Sequence, residues 1–244
     1  MLLGTGAQSR ELEERTAALQ GIESYVLMER AGAGAANVAR EMAPDVRAPI
    51  VVVSGKGNNG GDGFVVARLL AREGRKVTVY ATSRLEEFRG DAAKALAKLP
   101  EELRPRMIAD DSSPGELGAD LEGAGLIVDA IFGSGIRGEI SGLPRRAVEA
   151  INQAGKPILS IDLPSGIEAD TGRICGEAVR ADVTAAIDPP KVGLFLFPGA
   201  ERAGEVRPID IGIPRDLAQE RLDAELAEEG HLIRLLPRRA PDTH

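Results

Sequence analysis

The sequence holds one cysteine, Cys175, and two histidines, His231 and His244. A single cysteine excludes an internal disulfide and a cysteine-ligated zinc site, and leaves Cys175 as a small core or loop residue. Both histidines fall in the charged C-terminal stretch, far from any glycine loop or strand end, which argues against histidine acid–base chemistry and His-ligated metals. Positive charge is also scarce. Thirty Lys and Arg against 38 Asp and Glu give a net charge of −8, the wrong balance for a surface that neutralises nucleic-acid phosphates. No apolar run reaches signal-peptide or membrane-span length, so the expectation is a cytoplasmic protein with no membrane contact. What remains, 43% hydrophobic and 28% charged over 244 residues, is the composition of an ordinary globular α/β core.

The pattern along the chain alternates. Residues 9–20 and 24–42 repeat apolar positions at three and four and read as helices, with Gly21 and Pro44 punctuating their ends. Three short apolar runs, 49–55, 125–133 and 157–166, read as strands buried on both faces of a parallel sheet. Between and beside them come helices at 61–74, 90–99, 113–124 and 143–155, a strand at 76–82, and a weaker strand at 106–109. Such alternation predicts a doubly wound, three-layer αβα fold: a mostly parallel central sheet with helices on both faces. After Ser165 the stretches 181–187, 193–199 and 204–214 read as short strands at a sheet edge, and 215–230 as charged and helix-prone.

In such a sheet ligands bind beyond the carboxyl ends of the strands, and the polar residues at those ends are Asn58, Asn59 and Asp62 after the first strand, Asp129 on the second, and Asp162 with Ser165 after the third. An acid at the tip of a buried strand is unfavourable unless bonded, paired or ligated. One such residue is a loop cap; three on converging ends point to a site. The first loop, "GKGNNGGDG", contains Gly-x-Gly-x-x-Gly at Gly55, Gly57 and Gly60, and its amides, with a helix opening near Asp62, make a phosphate cradle. The next strand ends in Thr82, Ser83 and Arg84, however, so the acid that grips the ribose in nicotinamide dehydrogenases is missing. A second glycine loop, 133–142, carries Arg137 and Glu139 and offers another anion cradle. Asn59, Asp129 and Ser165 present oxygen donors only, a set for a hard cation or ordered water.

"GKGNNGGDGFVVARLL", "IVDAIFGSGIRG", "ILSIDLPSGIEADTG" and "KVGLFLFPGAERAGEVRPIDIGIP", in that order, resemble the NAD(P)H-hydrate epimerase family, and "LMERAG" upstream fits with Arg30 where that family often has Asn. The resemblance implies a Rossmann-like isomerase acting on the hydrated cofactors NADHX and NADPHX, with residues 1–214 as the epimerase domain. It implies that Asn58, Asn59, Gly60, Gly61 and Asp62, together with Gly133, Ser134, Gly135, Ile136, Arg137, Gly138 and Glu139, contact the hydrated dinucleotide. Asp162 would contact it at the reacting carbon as the catalytic residue, and Asn59, Asp129 and Ser165 would hold one K+ per subunit. The dinucleotide is then the substrate, which accounts for the missing ribose acid. Residues 215–244, with "LLPRRAPDTH", resemble the linker into an ADP- or ATP-dependent dehydratase domain; that enzyme and a homodimer partner are the implied associations. Two other readings share the fold: an NAD(P)-dependent oxidoreductase, opposed by the missing acid, and a non-catalytic interaction module, opposed by the presence of Asp129, Asp162 and the Asn pair.

Overall fold

The computed structural model describes residues 1–108 and 115–227. After a two-residue strand, β1 (Leu2–Leu3), come helices α1 (Gly6–Gln20) and α2 (Ser24–Met42). The alternating part follows: β2 (Ile50–Ser54), α3 (Asn58–Arg72), β3 (Val77–Ala81), α4 (Gly90–Ala97), β4 (Arg106–Met107), α5 (Gly115–Gly123), β5 (Leu126–Ala130), α6 (Gly142–Gln153) and β6 (Ile158–Ile161). It closes with β7 (Val183–Ile187), β8 (Glu205–Ile209), α7 (Arg215–Arg221) and β9 (Ala224–Glu225). Seven of these strands make one sheet in the order β4-β3-β2-β5-β6-β7-β8, every pair parallel, while β1 and β9 pair antiparallel on their own.

The central strands are buried throughout, because helices cover both faces: all five residues of β2 and of β5 are inside. Val52, Val128 and Leu159 pack towards α2, α3 and α4, whereas Val51, Val53, Ile127 and Ile158 pack towards α5 and α6. The glycines of α2 serve this packing. A Cβ on Gly32 would lie 2.5 Å from Val65 of α3, and one on Gly34 would lie 2.2 Å from Ile209 of β8. That small-residue face is therefore spent inside the chain.

Two expectations need correction. Residues 193–199 are not a strand but two 3-10 turns, Val192–Leu194 and Gly199–Glu201, folded against residues 168–172 by the Gly193 N–H donating to the Ala169 carbonyl at 2.7 Å. Their apolar side chains include exposed Leu196 and Phe197, so the alternation had no sheet behind it. The helix expected over 215–230 stops at Arg221; Leu222 is extended, and the chain turns into β9 opposite β1. Ala109 of the weaker strand, the opening residues of the helix expected from 113, and residues 228–244 with both histidines lie outside the described residues.

Candidate active site

The order in which strands are added reverses between β2 and β5, and at such a switch point the following loops part to opposite faces and leave a crevice at the strand ends. Asp129 and Ser160 are register partners on β5 and β6, so the serine hydroxyl donates to Asp129 Oδ2 at 2.8 Å. Ser165 adds its backbone N–H at 2.8 Å and its hydroxyl at 2.5 Å, and the Ile131 N–H adds a longer bond at 3.3 Å. Even with these donors, complete burial pushes the Asp129 carboxyl above the ordinary range.

Asp162 follows β6 with φ +66°, alone among the described non-glycine residues in the left-handed region. The Leu163 N–H reaches back to the Ile161 carbonyl at 2.8 Å, closing a three-residue turn around it. Turns of this kind are strained and concentrate at functional sites. Here the turn aims the carboxylate across the crevice. The Ser134 N–H donates to Oδ2 at 3.2 Å, and Lys191 Nζ stands 2.7 Å from Oδ1, with side-chain exposures of 2% for the lysine and 9% for the aspartate. The lysine contact is ionic in character: Nζ donates to the Ile187 carbonyl at 2.9 Å, and Oδ1 accepts no directed hydrogen bond from a described residue. Oδ1 is thus charge-compensated while committed to no directed hydrogen bond from a described residue.

Asn59 lies in the first turn of α3, which opens at Asn58 with Gly57 as its cap, earlier than the Asp62 start expected from sequence. Its side chain is buried, and neither amide atom has a partner among the described residues. A hypothetical Cβ on Gly133 would lie 2.9 Å from Asp162 Oδ2 and 3.3 Å from Asn59 Cγ, so these three residues converge. The other fingerprint glycines have an internal reason. A Cβ on Gly60 would lie 1.7 Å from the Gly55 carbonyl oxygen, and one on Gly55 2.0 Å from the Ile131 carbonyl oxygen, so glycine at 60 lets the first loop close on itself and glycine at 55 lets it meet the chain after β5.

Asp62 is buried a turn further along α3. Desolvation raises its carboxyl well above the usual range, with the Asp162 and Glu13 carboxylates adding to the rise and Lys191 opposing it. Burial likewise raises Glu13, on α1, which feels Lys191 and Asp162. A folded-state pKa above the unfolded value near ~3.9 means that stability falls as pH rises from about 4 through the folded pKa. Asp62→Asn removes that loss, so its thermal midpoint should exceed that of the parent by a few degrees at pH 8 and match it near pH 4. Equal midpoints across pH 4–8 would contradict the assignment.

The remaining expected residues are more scattered. Asn58, Gly135, Arg137, Gly138 and Glu139 are exposed on the rims of the two loops, and Arg137 donates to the neighbouring Ile136 carbonyl at 2.8 Å. Ile136 turns inward and belongs to the core against α5 and α6, so only its backbone faces the crevice side. Arg84 is a surface residue paired with Glu87 at 3.2 Å, and Lys56 meets the same glutamate at 3.1 Å. Cys175 is buried. Among the described residues no three His, Cys, Asp or Glu are grouped to hold a metal ion, and no helix is long and apolar enough to cross a membrane.

An open parallel sheet with helices on both faces and two glycine loops at its switch point defines a Rossmann-like α/β protein. Residues 24–193 match the family described as YjeF-related protein N-terminus. A NAD(P)H-hydrate epimerase of Pirellula staleyi is 41% identical over 87% of this chain and 93% of its own length. Bifunctional NAD(P)H-hydrate repair enzymes of Moorella thermoacetica and Thermofilum pendens are 37% and 36% identical over 100% and 96% of the chain. The chain spans 47% and 44% of those two relatives. The yeast protein YNL200c, solved by crystallography, superposes with a TM-score of 0.74 at 25% identity over 94% of this chain and 97% of its own. The chain belongs to the YjeF-related N-terminal domain family, which includes the NAD(P)H-hydrate epimerases.

Proposed function

We propose that the chain interconverts the R and S forms of NAD(P)H hydrate. The observation that carries the reading is Asp162: a carboxylate set in a strained turn, pinned through Oδ2 by the Ser134 N–H and charge-paired through Oδ1 with Lys191, beside Asn59 and Gly133. Inversion at the hydroxyl-bearing ring carbon has two routes. In one, which starts from the protonated form of Asp162, the hydroxyl leaves as water with that proton, and water returns to the opposite face of the dihydropyridinium ion and gives the proton back. In the other, Asp162 takes the hydroxyl proton and delivers it to the ring nitrogen as the C–N bond opens to an aldehyde, and closure on the opposite face reverses both transfers. Either route needs a single group that exchanges one proton in both directions within hydrogen-bond reach of that carbon.

The glycine loops would receive the rest of the dinucleotide: the amides at the start of α3 suit phosphate, and Arg137 stands exposed on the opposite rim to meet a second anion. A potassium ion fits the donor set. Asn59 Oδ1 is buried and has no partner among the described residues, and Asp129 and Ser165, hydrogen-bonded to each other here, would contribute further oxygens from the neighbouring strand ends. Its charge would stabilise negative charge on ligand oxygens nearby. A homodimer would have to use a surface other than the glycine face of α2, and a dehydratase partner is suggested by the bifunctional relatives.

The deciding experiment incubates R-NADHX with the chain in K+ buffer, without nucleotide or dehydratase, and follows the epimers by chromatography. Growth of the S form well above the spontaneous rate is expected; none from folded protein overturns the reading. Asn59→Ala should raise the K+ concentration for half-maximal activity by about tenfold, the equivalent of roughly 1.4 kcal/mol of lost ligation. Activity in Na+ equal to that in K+ would remove the ion from the proposal.

A further inference from the structure

A lysine as deeply buried as Lys191 is placed by its backbone, and that backbone is clamped from a distant part of the chain. Gly4 bridges Lys191 in parallel: its N–H donates to the Pro190 carbonyl at 3.0 Å, and its carbonyl accepts from the Val192 N–H at 3.1 Å. The approach needs glycine, since a Cβ on Gly4 would lie 2.8 Å from Pro189 Cγ and 3.3 Å from Leu222 Cδ2. Two residues on, the Gly6 N–H donates to Asp170 Oδ1 at 2.7 Å, and a Cβ there would lie 2.9 Å from the Ser134 carbonyl oxygen. Residues 4–6 thus lie against the backbone at both groups that pin Asp162: the Lys191 segment and Ser134.

We propose that Gly4 is a positioning residue for the reaction at Asp162: it sets the Lys191 backbone, and through it the reach of the ammonium group to the catalytic carboxylate. The proposal rests on the epimerase reading, so its test includes a measurement independent of turnover. In Gly4→Ala, kcat should fall by ~10- to 100-fold with little change in KM, the effect of a small misplacement at the reacting centre. Lys191 should be acetylated faster by acetic anhydride, read by peptide mass spectrometry, because its burial depends on the clamp. In a Lys191→Met background, Gly4→Ala should leave kcat unchanged, whereas a general loss of fold would lower it by the same factor as in the parent.

Parental kcat and labelling in Gly4→Ala, or an equal loss in both backgrounds, overturns the proposal. Should Gly4→Ala fail to fold, Asp170→Ala releases the same segment without a clash and is read in the same way, with faster labelling expected. If the unaltered chain does not interconvert the epimers, yet Gly4→Ala still speeds acetylation of Lys191, the clamp stands and the reaction assignment falls. Unchanged labelling in an active enzyme does the reverse.

Discussion

Asp162→Asn is expected to lower kcat for epimerisation by ~10²- to 10⁴-fold, the range lost when a positioned acid–base group is removed. Asparagine tolerates the left-handed backbone, so the turn at φ +66° should persist. Its carbonyl oxygen can still accept from the Ser134 N–H, but a carboxamide cannot take up and return a proton. The variant also strips Lys191 of its counter-charge in a place where the lysine side chain is only 2% exposed. Breaking one side of a buried pair costs about 3–5 kcal/mol, and the Glu13 and Asp62 carboxylates, which both act on this site, should hold the loss near the lower figure. Urea unfolding measures the stability and epimer chromatography the turnover. Parental turnover in a folded variant would take catalysis away from Asp162. Asp162→Ala is less informative, because alanine adds backbone strain to the loss of chemistry.

Lys191→Met should destabilise by about 3–5 kcal/mol at pH 8 and by clearly less at pH 5. Methionine keeps most of the apolar stem that fills the space and deletes only the charge. Without the ammonium group, the Asp162, Asp62 and Glu13 carboxylates face one another with less to compensate them. Like charges in a dry site favour protonation, so the folded variant binds protons more readily than its unfolded chain, and stability recovers as pH falls. Turnover should drop as well, since Oδ1 of Asp162 loses the charge beside it. Paired urea titrations at pH 5 and pH 8 check the prediction. A destabilisation identical at both pH values would mean that Lys191 acts only by filling space.

The parts of this site visible in the sequence are those where a strand's apolar run stops on a polar residue. Asp129 ends β5 and Asp162 follows β6, and each interrupts a stretch that is otherwise buried, so each demands a partner. Lys191 carries no such contrast. It follows Asp188, Pro189 and Pro190, reads as a solvated turn, and becomes buried only because residues 4 and 192–194 fold over it. Lying immediately beyond the buried strand β7, at the same end of the sheet as Asp162, was the signal that could have found it. Glu13 sits between Leu12 and Glu14 on a charged helix and looks like surface until α1 packs over the crevice. The Gly-x-Gly-x-x-Gly spacing was legible, but not that Gly55 and Gly60 answer to backbone contact within the chain. Ile136 shows the opposite contrast: it lies inside the second glycine loop, yet its side chain belongs to the core.

The pairing of β1 with β9 sets a clock on the making of this protein. Leu2 and Leu3 leave the ribosome well before their partners Glu225 and Ala224, which lie about 220 residues later in the chain. At synthesis rates of ~5–20 residues per second, the first strand waits roughly 10–40 s for its mate. The seven-stranded sheet can condense meanwhile, because all of its strands lie between residues 50 and 209. Gly4, however, has β1 anchored on its near side only after the later strand has emerged. The nascent chain therefore passes through a period in which its sheet can be formed and the segment at Gly4 is not yet anchored on both sides.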